Sequence, residues 1–244
     1  MGKCIVITGA GSGLGRALAR SFASCGHTVL VLGRTRTSLD AVAAELGLPC
    51  QAIVCDVASA DSVRAAFAAI ADRHAKIDVL VNNAAVYQPN FVKDATDAQI
   101  DAAAMINFAG PIHCSRAAIP LMQKGGHIIN VSSETVGMPH AMFSLYQSSK
   151  AGLERFTEAL HAELEPDGIR VTMVRAGQMN DADSRSPVSG ELARIFAVEN
   201  LKRGLNLRER PISSFQSVAA LIRLLIDLPD DLNVPGIFIE ARRA

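Results

Sequence analysis

The sequence has no excess of charge of either sign, and its cysteines and histidines form no pattern that would mark a metal site. Lys and Arg number 24 in the 244 residues, and Asp and Glu also number 24. No overall field therefore attracts nucleic acid or an anionic membrane surface. The five cysteines form an odd set without a Cys-x-x-Cys pair and lie in or beside apolar runs, which predicts reduced core residues. The six histidines share no ligand-like spacing with Cys or with one another, so no metal site is expected.

Long hydrophobic runs are missing as well. The longest apolar stretches, such as Val218–Ile226, are interrupted by charge, so no segment is suited to cross a membrane. No basic leader precedes the first apolar run, and Val6 stands where a myristoylation signal has Ser or Thr. We therefore expect a cytoplasmic protein without a membrane or nucleic-acid partner, whose ligand is a small neutral or modestly charged molecule.

Apolar runs of strand length alternate with longer amphipathic stretches from end to end, which is the pattern of repeated βαβ units. The runs are mostly continuous Val, Ile and Leu, as expected for strands buried on both faces of a parallel sheet. The expected fold is one α/β domain over residues 1–244, a doubly wound parallel sheet flanked by helices. The seven predicted strands are Cys4–Thr8, Thr28–Leu32, Gln51–Cys55, Val79–Asn82, His127–Val131, Arg170–Val174 and Gly236–Ile239. The predicted helices are Leu14–Cys25, Ser38–Leu46, Ser59–Arg73, Asp97–Met122, Leu145–Glu165 and Phe215–Leu228, with Leu192–Leu201 as a weaker candidate.

A glycine-rich turn, Thr8-Gly-Ala-Gly-Ser-Gly-Leu-Gly15, joins the first predicted strand to the first predicted helix. The free N–H groups and the positive dipole end of a helix N-terminus suit a pyrophosphate, and glycine is needed wherever backbone touches phosphate. The spacing Gly9-x-x-x-Gly13-x-Gly15 only partly matches the Gly-x-Gly-x-x-Gly fingerprint of dinucleotide sites. The segment indicates nucleotide binding, with a plain glycine turn as the alternative.

Two arginines follow the second predicted strand, which continues Leu32-Gly33-Arg34-Thr35-Arg36. An NAD site offers Asp or Glu at this point to the ribose hydroxyl, whereas two guanidiniums suit a 2′-phosphate. The sequence therefore predicts NADP(H) in preference to NAD(H). The alternative is that both arginines simply begin a solvated helix.

Tyr146 and Lys150 lie four residues apart in a predicted helix, and Tyr146 follows Ser133 by thirteen residues. A phenol holds its proton to about pH 10, so its use at neutral pH needs a nearby cation. Lys150 would lie on the same helix face, one turn away. Taken alone, such a pair is more typical of a solvated helix face, and it is the order of the surrounding motifs that favours chemistry.

These motifs occur in a fixed order, and the chain resembles the short-chain dehydrogenase/reductase family over nearly its whole length. The family's Thr-Gly-x-x-x-Gly-x-Gly, Asp-Val and Asn-Asn-Ala-Gly fall on Thr8–Gly15, Asp56-Val57 and Asn82–Ala85, with Ala85 in place of glycine. Its helix asparagine, its serine and its Tyr-x-x-x-Lys fall on Asn107, Ser133 and Tyr146–Lys150. The resemblance implies hydride transfer between a nicotinamide ring and a small ketone, aldehyde or secondary alcohol.

The resemblance also implies a role for each polar residue. Tyr146 would give a proton to the developing alkoxide, or take one from an alcohol, with its pKa lowered by Lys150. Lys150 would also hold the nicotinamide ribose, and Ser133 would bind the substrate oxygen unless it merely caps a turn. Asn107 would complete a water relay behind Lys150, or could satisfy its own helix backbone. The residues expected to contact the cofactor are Gly9, Gly11, Ser12, Gly13, Leu14, Gly15, Arg34, Arg36, Asp56, Val57, Asn83, Ala84, Tyr146, Lys150, Gly177 and Met179.

The chain departs from the family after the sixth predicted strand, where it reads Arg175-Ala-Gly-Gln-Met-Asn-Asp181. The usual Asn-Pro-Gly and the following Thr are missing, which puts the seating of the nicotinamide in question. The irregular segment 176–214 is expected to act as a substrate lid. His140 lies in the family's substrate loop, where it could touch substrate, although a surface position is the more typical one. Tyr87 and Phe143 could wall an apolar pocket or pack in the core.

The predicted helices Asp97–Met122 and Leu145–Glu165 carry more apolar positions than one sheet face can cover, among them Phe108, Leu153 and Phe156. In the family these helices form a two-fold interface, so a homodimer or homotetramer is expected.

A function of another class is a nucleotide-binding sensor that keeps the fold but does no chemistry. The intact set of Ser133, Tyr146 and Lys150 argues against a sensor, whereas the altered Arg175–Asp181 turn favours it. Turnover of any carbonyl compound separates the two functions.

Overall fold

Alternate residues of the strands point to opposite faces of one sheet, and helices cover both faces. The computed structural model describes residues 2–47, 50–180, 188 and 190–242. In the first strand, Ile5 packs with Leu18 and Ile222 in one core layer, whereas Val6 packs with Phe67 in the other. Burying a side chain of this size stabilises the fold by about 1.5–3 kcal/mol. Two apolar layers therefore fix which face each strand residue takes.

Seven parallel strands form the sheet in the order β3-β2-β1-β4-β5-β6-β7. They are β1 (Cys4–Thr8), β2 (Thr28–Gly33), β3 (Cys50–Val54), β4 (Val79–Asn82), β5 (His127–Ser133), β6 (Arg170–Ala176) and β7 (Gly236–Ile239). The strand order reverses between β1 and β4, and the crevice at the carboxyl ends of these two strands is where doubly wound folds bind ligands. The predicted fold class and all seven predicted strands are confirmed, with strand ends within two residues of those expected.

The helices divide between the two faces of the sheet. They are α1 (Gly13–Ala23), α2 (Arg36–Leu46), α3 (Ala60–Ala71), α4 (Asp97–Ala104), α5 (Gly110–Ala118), α6 (Ser144–Leu164), α7 (Gly190–Leu201) and α8 (Phe215–Leu225). Apolar side chains of α1, α2 and α8 pack on one face, and those of α3, α5 and α6 pack on the other. The predicted helix at Leu192–Leu201 is confirmed as α7.

The predicted helix over Asp97–Met122 is confirmed in extent, since residues 97–121 are helical throughout, but it is not α-helical along its whole length. A wider π-type turn, Met105–Ala109, separates α4 from α5. Pro111 is the cause, because it has no N–H to donate to the carbonyl of Asn107 four residues earlier and its ring crowds that carbonyl. Asn107 lies in this turn and is completely buried. Such π turns occur frequently at functional sites.

All five cysteines are free. The expectation that every one of them lies in the core is wrong for Cys25. Cys25 is exposed because it falls in the turn that ends α1, whereas Cys4, Cys50, Cys55 and Cys114 are buried. Burial raises the pKa of the Cys4, Cys50 and Cys55 thiols to about 11, so these thiols are unreactive at neutral pH.

Within the described residues, no helix combines the length and apolarity needed to cross a bilayer, and no three His, Cys, Asp or Glu side chains cluster as metal ligands.

Candidate active site

The glycine-rich turn is fastened to the end of β4 by two polar side chains. Thr8 Oγ1 accepts hydrogen bonds from the N–H groups of Asn83 and Ala84, at 3.0 and 3.1 Å. The Asn83 amide donates in return to the carbonyls of Thr8 and Gly9, at 3.0 and 3.3 Å. The two strand ends at the switch point are thus held together by several hydrogen bonds, as a preorganised site requires.

The glycines of this turn are required by its geometry. Gly9 and Gly13 have φ of 66° and 52°, in the left-handed region that residues with a Cβ avoid. A Cβ on Gly15 would lie 2.3 Å from the Gly9 carbonyl oxygen, so α1 can meet the turn this closely only with glycine there. Ser12, at the N-cap of α1, makes no capping hydrogen bond, and the first turn carries no acid. The N–H groups of this turn can therefore bind an anion, and the pyrophosphate of a dinucleotide fits the site.

A cavity of about 1380 Å³ runs along the carboxyl ends of the strands. Pockets for drug-sized ligands measure roughly 300–1,000 Å³, so this volume suffices for a dinucleotide and a small second ligand. Of the residues expected at the site, the cavity is lined by Gly9, Ser12, Gly13, Leu14, Arg34, Asp56, Val57, Asn83, Ala84, Ser133, Tyr146, Lys150, Gly177 and Met179. The described lining does not include Gly11, Gly15, Arg36 or Asn107. Gly11 faces Ser38, and Gly15 packs beneath the turn.

Arginine side chains gather at the end of the cavity next to β2. Arg34 is exposed there and lines the cavity together with Arg16 and Arg20 of α1. Glu45 of α2 pairs with both α1 arginines, accepting a hydrogen bond from Arg16 Nε at 2.9 Å. The pKa of the Glu45 carboxyl is lowered, and the largest cause is the hydrogen bond that it accepts from Arg20. The guanidiniums that line this part of the cavity suit a phosphate. The sequence reasoning missed Arg16 and Arg20, although their position on the helix after the glycine turn was the available signal.

Arg36 does not line the described cavity, so the structure gives no support to its expected contact with the cofactor. It is the first residue of α2, two residues before the predicted helix start at Ser38. Its Nε lies 2.9 Å from Asp40 one turn later, and 66% of its side chain is exposed. Arg36 therefore begins a solvated helix, as the alternative interpretation of the sequence had it, and forms an ordinary (i, i+4) ion pair there.

Tyr146 and Lys150 extend from α6 towards the end of β5, where Ser133 is the last strand residue. The Ser133 hydroxyl contacts the Tyr146 phenol. Ser133 Oγ also accepts hydrogen bonds from the Thr135 N–H and hydroxyl, at 3.3 and 3.0 Å, so its own hydrogen remains for another acceptor. Lys150 Nζ donates to the carbonyl of Val131 at 2.7 Å. The structure thus brings the expected serine, tyrosine and lysine together.

Burial controls the protonation of Tyr146 and Lys150. It raises the pKa of Tyr146 to about 12, although the contact with Ser133 acts in the opposite direction. It lowers the pKa of Lys150 to about 8, although the negative charge of Glu154 opposes this shift. The pKa of Tyr146 is thus raised rather than lowered, because loss of water around the phenolate is the largest cause, and stabilisation of the phenolate by Lys150 stays a prediction. At neutral pH the phenol keeps its proton and the lysine its charge, which is the state required of a proton donor.

Asn107 ties the loop after β4 to the helix that carries Tyr146. Its Oδ1 accepts a hydrogen bond from the Val86 N–H and its Nδ2 donates to the Val86 carbonyl, both at 2.8 Å. Nδ2 also donates to Ser149 Oγ at 3.1 Å, and Ser149 donates to the Tyr146 carbonyl at 2.8 Å. Both amide hydrogens are used, so this side chain positions α6 rather than satisfying its own helix. The relay behind Lys150 stays a prediction.

The unusual Arg175 has a buried partner. Its Nε donates to Glu154 Oε1 at 2.9 Å, and a second guanidinium nitrogen bonds Oε2. Ser132 also donates to Glu154, at 2.6 Å. The guanidinium carbon lies 4.5 Å from the centre of the Phe238 ring, a favourable cation–π contact. Glu154 follows Lys150 by one helical turn on the same face of α6. The positive charge of Arg175 therefore compensates the carboxylate that lies next to the lysine.

We expect Glu154→Gln to lower the free energy of unfolding by about 2–4 kcal/mol, because Arg175 would keep a largely buried charge without its counter-ion. The two side chains are only 11% and 22% exposed. Glu158→Gln is the matched control on the same helix, since it removes an ion pair with Arg155 whose side chains are 66% and 78% exposed. This control should change stability by less than about 0.5 kcal/mol. Urea unfolding of both variants measures the difference, and equal losses would contradict a special role for the buried pair.

Aromatic side chains wall the end of the cavity beyond Tyr146. The Phe143 ring centre lies 5.4 Å from that of Tyr146 and 4.7 Å from that of Phe196 on α7. The Tyr87 ring lies 6.0 Å from Tyr146, and the His140 ring lies 5.6 Å from Phe143. Tyr87 and Phe143 therefore wall a pocket, and Phe143 is also buried. His140 is partly buried in the cavity wall, which corrects the surface position favoured for it.

The two ends of the expected lid, 176–214, are joined to each other. Met179 forms a parallel bridge with Ser213, and the Asn180 N–H donates to the Ser213 carbonyl at 3.0 Å. Residues 181–187 and 189, including Asp181, lie outside the described residues. The lid and the seating of the nicotinamide stay predictions.

The apolar residues expected to face a partner subunit divide between core and surface. Leu153 is completely buried, so core packing explains it, whereas Phe108 is 37% exposed. The Phe108 ring lies so close to Gly152 that a Cβ there would be 3.2 Å from it. The apolar surplus is thus smaller than the sequence suggested, and the homodimer or homotetramer stays a prediction.

Comparison with known proteins gives consistent matches. A profile described as short chain dehydrogenase matches residues 3–191. The chain is 38% identical over 207 residues to D-xylose 1-dehydrogenase of Caulobacter vibrioides, covering 82% of each chain. It is 30% identical over 240 residues to serine 3-dehydrogenase of Agrobacterium fabrum, covering 96% of this chain and 92% of that protein.

A solved structure extends the likeness to three dimensions. A crystal structure of a short chain dehydrogenase from Burkholderia cenocepacia in complex with NADP is 29% identical in sequence, with a TM-score of 0.83. The alignment covers 98% of this chain and 97% of that chain.

Proposed function

This chain belongs to the short-chain dehydrogenase/reductase family, and we propose that it is an NADP(H)-dependent oxidoreductase that transfers hydride between the nicotinamide and a small ketone, aldehyde or secondary alcohol. Its relatives support a dehydrogenase acting on CH–OH or C=O groups. The observation that carries the proposal is that Ser133, Tyr146 and Lys150 meet in the cavity that the glycine turn also lines. A proton donor, a cation and a phosphate cradle in one cavity are the parts that this reaction needs.

In the proposed reaction the residues of this chain orient the substrate and move one proton. The bound nicotinamide supplies or accepts the hydride. Ser133 donates a hydrogen bond to the substrate oxygen, and during reduction Tyr146 gives its phenolic proton to the alkoxide that forms. Lys150 holds the nicotinamide ribose hydroxyls, and its positive charge stabilises the phenolate that remains on Tyr146. Proton return to Tyr146 from solvent completes the cycle.

A substrate screen tests the activity. Ketones, aldehydes and secondary alcohols are offered with NADPH, NADH, NADP⁺ and NAD⁺, and the absorbance of the reduced nicotinamide is followed. The panel should contain hydroxylated compounds, because two relatives are named for D-xylose and serine. Turnover of at least one compound is expected. Tight cofactor binding without any turnover would favour the nucleotide sensor instead.

The proposed preference for NADP(H) rests on the arginines beside β2. Arg34 can meet a 2′-phosphate with two charge-assisted hydrogen bonds, and Arg16 and Arg20 add positive charge to the same end of the cavity. Gly33 offers no carboxylate that would repel a phosphate. Each charge-assisted hydrogen bond contributes roughly 1.5–3 kcal/mol, so NADP(H) should be preferred over NAD(H) by about ten- to a hundred-fold.

Arg34→Ala should erase most of this preference. The effect should appear in the KM for NADP(H) and leave kcat nearly unchanged, because the phosphate lies far from the hydride and is bound equally in the ground and transition states. Arg36→Ala is the matched control, since Arg36 pairs with Asp40 and does not line the described cavity. The measurement is kcat/KM with both cofactors for the wild type and the two variants. A wild type that prefers NAD(H), or equal effects of the two variants, would contradict the assignment.

A further inference from the structure

The loop before α6 is held to α7 by the side chain of Asn200, which is completely buried. Asn200 Oδ1 accepts a hydrogen bond from the Ala141 N–H at 3.1 Å. Asn200 Nδ2 donates to the Phe196 carbonyl at 2.8 Å. A backbone N–H can only donate and a backbone carbonyl can only accept, so these two partners determine which end of the amide is oxygen.

The orientation of Asn200 determines in turn which nitrogen of His140 carries hydrogen. His140 Nδ1 lies 3.1 Å from Asn200 Oδ1. An amide oxygen can only accept, so Nδ1 must be the protonated nitrogen. In the neutral ring Nε2 is then a hydrogen-bond acceptor with a free lone pair. Burial, followed by the nearby positive charge of Arg210, lowers the pKa of His140, although Asn200 and Glu134 act in the opposite direction. The ring is therefore neutral at physiological pH.

His140 Nε2 is buried and has no hydrogen-bond partner among the described residues. Its ring stacks on Phe196 with centres 6.3 Å apart and contacts Phe143, whose own ring adjoins Tyr146. Leaving a buried acceptor without a partner costs about 1–3 kcal/mol. A ligand in the cavity that supplies a donor at this place would remove that cost. The acceptor also lies in the same aromatic wall as the phenol that is proposed to protonate the substrate.

We propose that the substrate has a flat apolar body with a hydroxyl group away from its reacting carbon, and that this hydroxyl donates a hydrogen bond to His140 Nε2. This inference rests on the proposed dehydrogenase function, because it names the substrate class of the same cavity. A carboxylate cannot donate to Nε2, and an ammonium group would lose its hydration against the rings of Phe143 and Phe196. A neutral hydroxyl satisfies the acceptor while the rest of the substrate contacts the aromatic wall.

A matched ketone series tests the hydroxyl contact. The probes are 1-tetralone, which has a flat bicyclic body and no hydroxyl, and its 5-, 6- and 7-hydroxy derivatives, which place one hydroxyl at different distances from the carbonyl. At least one hydroxytetralone is expected to have a KM about tenfold lower than 1-tetralone, because the parent ketone leaves the acceptor without a partner. Affinity is also measured by calorimetric titration in the presence of NADP⁺, when the ketone cannot be reduced.

His140→Phe keeps a ring of similar shape but removes the acceptor, and Asn200 keeps its bonds to Ala141 and Phe196. This variant should bind the hydroxylated and parent ketones with equal affinity. Tyr87→Phe is the matched comparison, because it removes another hydroxyl of the aromatic wall while the proposed proton donor Tyr146 is kept, and it should keep the tenfold preference. Acidification should also abolish the preference, at a pH below the ordinary histidine pKa of about 6.5, since protonated Nε2 no longer accepts.

The outcomes separate this inference from the proposed function. Equal binding of all four ketones to the wild type, or a preference that survives His140→Phe, would overturn the hydroxyl contact whether or not the ketones are reduced. A preference lost in Tyr87→Phe but kept in His140→Phe would assign the contact to Tyr87 and also overturn it. A preference in binding that depends on His140, without turnover of any carbonyl compound, would support the contact and contradict the dehydrogenase.

Discussion

Tyr146→Phe is expected to lower kcat for carbonyl reduction by about 10²–10⁴-fold, the usual scale for a general acid. The variant keeps the ring that packs against Phe143 and loses only the hydroxyl group that contacts Ser133. Binding of NADP(H) should therefore stay nearly unchanged, so the loss should appear in kcat rather than in cofactor affinity. Steady-state kinetics and fluorescence titration of NADPH measure the two quantities separately.

The chain supplies a control, since Tyr87 is its other tyrosine and its ring lies 6.0 Å from that of Tyr146. Tyr87→Phe removes a hydroxyl from the same wall of the cavity but should cost less than about tenfold in kcat, because it does not supply the proton. Turnover by Tyr146→Phe within tenfold of the wild type would refute the assignment of the proton donor.

The pH dependence of reduction follows from the two shifted groups. The pKa of Tyr146 is raised to about 12 and that of Lys150 is lowered to about 8. Below about pH 8 the phenol is protonated and the lysine is charged, so the reduction rate should be constant. Above that pH the lysine loses its proton before the phenol does, and the rate should fall because no cation then stabilises the phenolate. A reduction rate that rises between pH 7 and 9 would contradict this order of titration.

The fold could be predicted because the strands of a parallel sheet are apolar on both faces. In β5, Ile128 and Ile129 are both completely buried although they point to opposite sides, so the strand appears in the sequence as a continuous apolar run. Ser133 could also be placed, since parallel strands bring their carboxyl ends to one edge of the sheet. Tyr146 and Lys150 then needed only the periodicity of the helix.

What the sequence did not predict depends on contacts between residues far apart in the chain. Glu154 meets Arg175 across 21 positions and His140 meets Asn200 across 60, and no local pattern reports such pairs. Two structural details did have local signals. Asp40 stands one turn after Arg36, as an ordinary helix ion pair requires, and Pro111 marked the π-type turn within the predicted helix over Asp97–Met122.

Lys150→Met should have the larger effect on kcat/KM, at least about 10³-fold. It removes the cation that stabilises the phenolate, which we expect to cost about 10²-fold, and the proposed ribose contact, which adds about tenfold through cofactor binding. Methionine fills most of the buried space that the lysine side chain occupies. Glu154 keeps its bonds to Arg175 and Ser132, so no uncompensated charge is left in the core and the variant should fold.

The two proposed roles of Lys150 are separated by two measurements on this variant. The Kd for NADPH should rise about tenfold, and the decline of the reduction rate near pH 8 should disappear, because the group that titrates there is gone. A loss of rate with an unchanged NADPH Kd would exclude the ribose contact but keep the cation. A decline near pH 8 that persists in the variant would instead assign that titration to another group, and the lysine would then act only by holding the ribose. Circular dichroism and urea unfolding confirm that the comparison is made on folded protein.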